Sequence, residues 1–144
     1  MIAVARQPAR QERRTVTFAS TLFLRPILDL LLAEISPLWR AEVRLGLQEA
    51  LVNAACHGNC LDPDKRVTVH FSVAPNYYVW IIADEGSGFD KQQPCADAVP
   101  CSDWECGRGL FILRQIFDEV QWLPPGNQLR LCKYIPREAR PQLS

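Results

Sequence analysis

The chain carries no net charge: Lys and Arg number 16, Asp and Glu number 16, and the formal balance at pH 7 is zero. A dedicated nucleic-acid binder normally presents a net basic stripe, so the balance argues against direct nucleic-acid binding and favours protein or small-molecule partners. Long apolar runs are also lacking. The longest, around Leu28 to Ile35, is broken by Asp29 and Glu34 and falls short of the roughly 20 residues that span a bilayer, so neither a membrane span nor a membrane partner is expected. Residues 1–14 have four arginines and one acid, Glu12, but no apolar core of a secretory signal; they read as a flexible basic tail, and the chain as cytoplasmic. No Gly-Lys-Ser/Thr follows any glycine-rich stretch, which excludes a P-loop. Nor do the six cysteines fall in metal-binding pairs. Three residues separate Cys56 from Cys60, and Cys95, Cys101 and Cys106 have no zinc-finger spacing, so reduced thiols are expected.

What is present is enough for one domain. A chain of 144 residues buries roughly 68–70% of the surface its unfolded form exposes, and 48% hydrophobic residues supply an ordinary core. Thr15 to Ala19 reads as a first strand, followed by a helix capped by Ser20 or Thr21 and running to about Ile35, with Pro26 in its first turn. Ser36-Pro37 ends that helix and starts a second, which reaches His57. Val67, Val69, Phe71 and Val73 alternate with Thr68, His70 and Ser72 as a half-buried strand. After the turn Ala74-Pro75-Asn76 comes a more apolar and more central strand, Tyr77 to Ala83. Lys91 to Cys106 shows no periodicity and reads as a loop. A helix from Leu110 to Phe117 and the strands Glu119–Leu123 and Gln128–Tyr134 complete the domain, residues 15–135. The tail 136–144 is read as flexible. Hairpin-linked strands with few helices imply an α+β two-layer sandwich, with a mixed, mostly antiparallel sheet and its helices on one face.

Three stretches carry candidate chemistry. In the second helix, Glu49, Asn53 and His57 recur at a spacing that stacks side chains on one face, beside an apolar stripe of Val43, Leu47, Leu51 and Ala54. The carboxylate and carboxamide suit Mg²⁺, or Glu49 can act as a general base; a merely solvated helix face would look the same. His57 can bond the last helix carbonyls or take part in catalysis. At the end of the apolar strand, Asp84-Glu85-Gly86-Ser87-Gly88 can be a simple turn, or a site where Asp84 accepts from an exocyclic amine while Gly86 and Gly88 admit a flat ligand. Gly107-Arg108-Gly109 precedes a helix, whose first amides and dipole suit phosphate oxygens, unless the glycines are only a hinge.

Together, in this order, the stretches resemble the GHKL (Bergerat-fold) ATP-binding superfamily. Within it the chain is similar to the bacterial anti-sigma-factor serine/threonine kinases of the RsbW and SpoIIAB type. Glu49 to Asn59 resembles the N box, Asp84 to Phe89 the first glycine box, and Gly107 to Leu110 the second. The resemblance implies ATP/ADP and Mg²⁺ as ligands, with Asp84 on the adenine amine, Asn53 on the metal and Glu49 as catalytic base. It implies further that Gly86 and Gly88 line the nucleotide pocket, that Gly107, Arg108, Gly109 and Leu110 meet the phosphates, and that residues from about 89 to 106 form a lid. The partners it implies are a sigma factor, a STAS-type anti-anti-sigma antagonist as phosphoacceptor, and a second copy in a homodimer. Where the family often has Gly-Thr before its last strand, this chain has Gly126-Asn127-Gln128, so a hydroxyl contact near the phosphates is expected to be lost. That departure keeps open a non-catalytic module whose nucleotide selects a partner-binding conformation. A thiol or metal switch built on Cys95, Cys101 and Cys106 is the third reading.

Overall fold

Alternation along one strand becomes a two-layer molecule when several such strands share an apolar face. In the structure, a computed structural model describing residues 2–7, 12–86, 103–124 and 127–136, that face belongs to a six-stranded sheet. The strands are β1 (Ala3–Gln7), β2 (Glu12–Ala19), β3 (Arg66–Val73), β4 (Tyr77–Ala83), β5 (Glu119–Leu123) and β6 (Gln128–Tyr134), in spatial order β1-β2-β3-β4-β6-β5. Every pairing is antiparallel. The apolar β4 is internal, between β3 and β6, as its composition requires.

Helices α1 (Arg25–Leu32), α2 (Pro37–Val52) and α3 (Asp103–Ile116) cover one face. Alternate residues of the strands (Val16 and Phe18, Val67, Val69 and Phe71, Tyr78, Trp80 and Ile82, Leu129 and Leu131) meet Leu28, Leu31, Val43, Leu47, Leu51 and Leu113 in a single core. Each such side chain, fully buried, contributes roughly 1.5–3 kcal/mol. The α2–α3 crossing is close because Gly46 has no side chain: a Cβ there would stand 2.5 Å from the Phe117 ring. Phe117 meets Trp80 edge-on at 5.6 Å. Buried Lys133 ties the same corner together, donating to the Ile116 carbonyl at 2.7 Å and to Glu42 at 3.0 Å while lying over Trp39.

Several expectations are corrected. Residues 1–14 are not wholly a tail: Ala3–Gln7 pairs with β2, and β2 begins at Glu12. Ladder pairing uses backbone groups, and charged side chains are compatible with an edge strand, so arginine content did not exclude one. Neither Ser20 nor Thr21 caps α1. Ser20 donates to the Lys65 carbonyl, Thr21 accepts from the Phe23 N–H, and α1 starts later, with its proline in the first turn. Ser36 does cap α2, accepting from Leu38 N. α3 begins at Asp103, before the expected start at Leu110. Glycine costs a helix only about 1 kcal/mol, which the burial of Leu113, Ile116 and Phe117 offsets. Among the described residues no helix is long and apolar enough to cross a membrane.

Candidate functional site

The site is built where α2 ends. Its last α-helical residue is Val52, and the chain continues as a π-helical turn, Asn53–Gly58, before leaving through Cys60 and Leu61, both at φ 55°. Such wider turns are rare and concentrate at functional sites, as does the left-handed conformation of residues other than glycine. The turn is closed by Asn59 N donating to the Ala54 carbonyl and Leu61 N to the Ala55 carbonyl.

Gly58, at the end of the turn, lies directly against the end of β4. A Cβ on Gly58 would fall on the Asp84 carboxylate, and one on Gly86 would fall on the Gly58 carbonyl oxygen. Two of the motifs read from the sequence therefore meet through glycines. The Asp84–Gly86 turn is held from three further directions. Asn59, wholly buried, accepts from Glu85 N at 2.7 Å through Oδ1 and donates through Nδ2 to the Ser20 hydroxyl and the Arg66 carbonyl. Glu85 accepts from Arg66 N at 3.0 Å. Asn127, at the start of β6, accepts from Asp84 N at 3.0 Å and donates from Nδ2 to the Asp84 carbonyl at 3.1 Å. Asn127 is thus bonded to the Asp84 end of the site.

Asp84 itself is half-buried. Burial pushes its carboxyl above the usual range, opposed by the Gly86 N–H, which donates to Oδ1 at 2.8 Å, and by the charge of Lys65. Glu49 and Asn53 are also half-buried, and neither side chain makes a hydrogen bond or ion pair among the described residues. Their oxygens remain available, unlike those of Asn59. His57 is exposed. Among the described residues no cluster of three or more His, Cys, Asp or Glu could hold a metal.

The remaining candidates are less defined. Gly88 and residues 89–102 of the expected lid lie outside the described residues. Gly107, Arg108 and Gly109 lie inside α3, not ahead of it, and Leu110 is half-buried there. Since only the first four N–H groups of a helix are unpaired, the free amides of α3 belong to residues 103–106. Cys60 is disulfide-bonded, whereas Cys56 and Cys132 are not, so the expectation of reduced thiols is corrected at Cys60. A disulfide is decided by proximity in space, which sequence spacing does not report.

Fold and site together correspond to a class: an α+β domain in which the end of a polar-faced helix packs on a strand-end Asp-x-Gly turn. The chain belongs to the family described as histidine kinase-like ATPase domain, which matches residues 12–133. The resemblance drawn from the motifs is borne out at that level. Among curated proteins, the chain is 30% identical over 105 residues to serine-protein kinase RsbW of Bacillus subtilis, covering 67% of this chain and 66% of that protein. Identity to the anti-sigma F factor of Halalkalibacterium halodurans is 29% over 105 residues, covering 69% and 71%. The RsbW of Bacillus licheniformis is 28% identical over a similar stretch. The chain therefore spans about two thirds of the length of the RsbW relatives it matches, 66% in each of these two.

Asn59 and Asn127 were the supports that sequence reasoning missed. Asn59 stood within the N-box stretch without a role, and Asn127 appeared only as a departure from the family. The available signal was type: a buried asparagine beside a glycine turn is a ready backbone clamp.

Proposed function

We propose that the protein is an ATP- and Mg²⁺-dependent serine/threonine protein kinase of the anti-sigma type. The observation that carries this reading is the packing of Gly58 on Asp84 and Gly86, which sets the end of the Glu49/Asn53 helix beside a half-buried carboxylate. A ligand with its amino edge on Asp84 and its body along the helix would meet Asn53 and then Glu49. Asn53 opens the π-helical turn that ends at Gly58, and Glu49 lies about 6 Å further back along the α-helical axis, at about 1.5 Å per residue.

In this reading the adenine amine donates to Asp84, and Gly86 and Gly88 admit the base. Asn53 offers its carbonyl oxygen to Mg²⁺, which when bound neutralises charge on the phosphates. Gly107, Arg108, Gly109 and Leu110 approach the phosphates from α3, and the segment near 89–106 covers them. Glu49 takes the proton from a serine or threonine hydroxyl of the substrate protein. That oxygen attacks the γ-phosphorus as its bond to the bridging oxygen of ADP breaks. Little covalent work falls to the protein; positioning and charge stabilisation suffice.

The regulatory partners in this reading are a sigma factor, bound by sequestration, and a STAS-type antagonist that accepts the phosphoryl group, with a homodimer as the working unit in the cytoplasm. The relatives named as serine-protein kinases and an anti-sigma factor support it. Glu49→Ala should still bind ATP but fail to transfer labelled γ-phosphate to the antagonist. Transfer at the native rate would refute the role of Glu49. The second reading, a nucleotide-dependent binding module without transfer, is favoured by one observation: Gly107 to Gly109 lie inside α3, where their amides are not free for phosphate. No transfer by the native chain to any antagonist it binds would establish that reading instead.

A further inference from the structure

We propose that Asn59 is a positioning residue for recognition of the nucleobase: oriented by Ser20, it fixes the Asp84–Gly86 turn so that the Asp84 carboxylate meets the exocyclic amine of adenine. The inference rests on the assignment of Asp84 to the base. Asn59 is wholly buried, and Ser20 is buried beside it. Ser20 donates its hydroxyl proton to the Lys65 carbonyl at 2.8 Å, which leaves Oγ only as an acceptor. The Arg66 carbonyl can also only accept. Asn59 Nδ2 donates to both at 2.9 Å, so its carboxamide has one permitted orientation, with Oδ1 toward the turn.

Oδ1 accepts from Glu85 N at 2.7 Å. That N–H belongs to the peptide group joining Asp84 to Glu85, whose carbonyl accepts from Asn127 Nδ2. The peptide plane is therefore gripped on both edges, and with it the backbone torsions on either side. One residue further on, Gly86 N donates to Asp84 Oδ1 at 2.8 Å. Where the plane sits decides where that N–H sits, and hence where the carboxylate is held. Without Asn59 the plane can turn, and Asp84 loses its aim rather than its acceptor oxygens. Aim matters because a hydrogen bond weakens steeply as it departs from linearity. Ser20 acts a second time at the same place: its N and Oγ both donate to the Lys65 carbonyl, and the charge of Lys65 favours ionised Asp84.

The test compares ATP with purine riboside triphosphate, which carries hydrogen in place of the exocyclic amine, by calorimetric titration of the full chain, Asn59→Ala and Ser20→Ala. The native chain should prefer ATP by about tenfold or more, the worth of a hydrogen bond to a carboxylate. Asn59→Ala should lose most of that preference and Ser20→Ala about threefold of it, while both bind the amine-free nucleotide as the native chain does. A purely structural role would weaken both nucleotides by the same factor, and a native ratio in a folded variant overturns the proposal. Thermal unfolding verifies that each variant is folded. If Asn59→Ala is not, Ser20→Ala alone decides, since it keeps the bonds of Asn59 to Glu85 and Arg66. A native chain that binds the two nucleotides equally overturns the assignment of Asp84 itself, which distinguishes the two failures.

Discussion

The two glycines that bring the motifs together predict opposite outcomes for the same substitution. In Gly58→Ala the new methyl would overlap the Asp84 carboxylate, the movable end of a side chain; in Gly86→Ala it would overlap the Gly58 carbonyl, which is backbone. The carboxylate can swing aside, so Gly58→Ala should change stability by no more than about 1 kcal/mol, the alanine also restricting the unfolded chain. Its cost falls on the ligand. A hydrogen bond to a charged group is worth about 1.5–3 kcal/mol, so displacing Asp84 should weaken ATP binding roughly 10- to 100-fold. Gly86→Ala has no such escape: overpacking against backbone should cost about 1–3 kcal/mol, lowering the thermal midpoint by roughly 4–12 °C for a domain of this size. Urea denaturation and calorimetric titration of both variants read the two quantities separately. Native ATP affinity in a folded Gly58→Ala chain would refute the placement of Asp84 at the ligand.

Asp84→Asn should abolish the thermal shift produced by Mg-ATP and, without nucleotide, should raise stability at neutral pH. The folded-state pKa of Asp84 is raised by burial, so its contribution is fully present below the unfolded-state value and is lost as pH rises through the folded one. The advantage of the asparagine variant should accordingly grow over that interval and then level off; a difference independent of pH would contradict the cause given. Asn59→Ala should cost at least about 2 kcal/mol in chemical denaturation, because it strands the Glu85 N–H and the Arg66 carbonyl. An unchanged denaturation midpoint would show that the Glu85 turn is held by other contacts.

The periodic segments were legible in the chain itself. Val67 to Val73 and Tyr77 to Ala83 announced strands by alternation and apolarity, and Ser36-Pro37 announced the start of α2, because these signals act over a few residues. Glu49, Asn53 and Asp84 were legible as candidates because their residue types stand at places where oxygen acceptors have a use. Local pattern could not show that Ala3–Gln7 finds a partner in β2, nor that α3 reaches back to Asp103 despite its glycines. Pairing and burial decide both, and they involve residues distant in sequence. The same holds for the site. Composition and spacing determined which side chains were candidates, and the resemblance implied a nucleotide; only the tertiary structure decided that Gly58 abuts Asp84, that Asn59 and Asn127 clamp the turn between them, and that Cys60 is oxidised. Contact at a few ångströms depends on where whole elements pack, and no window of neighbouring residues contains that information.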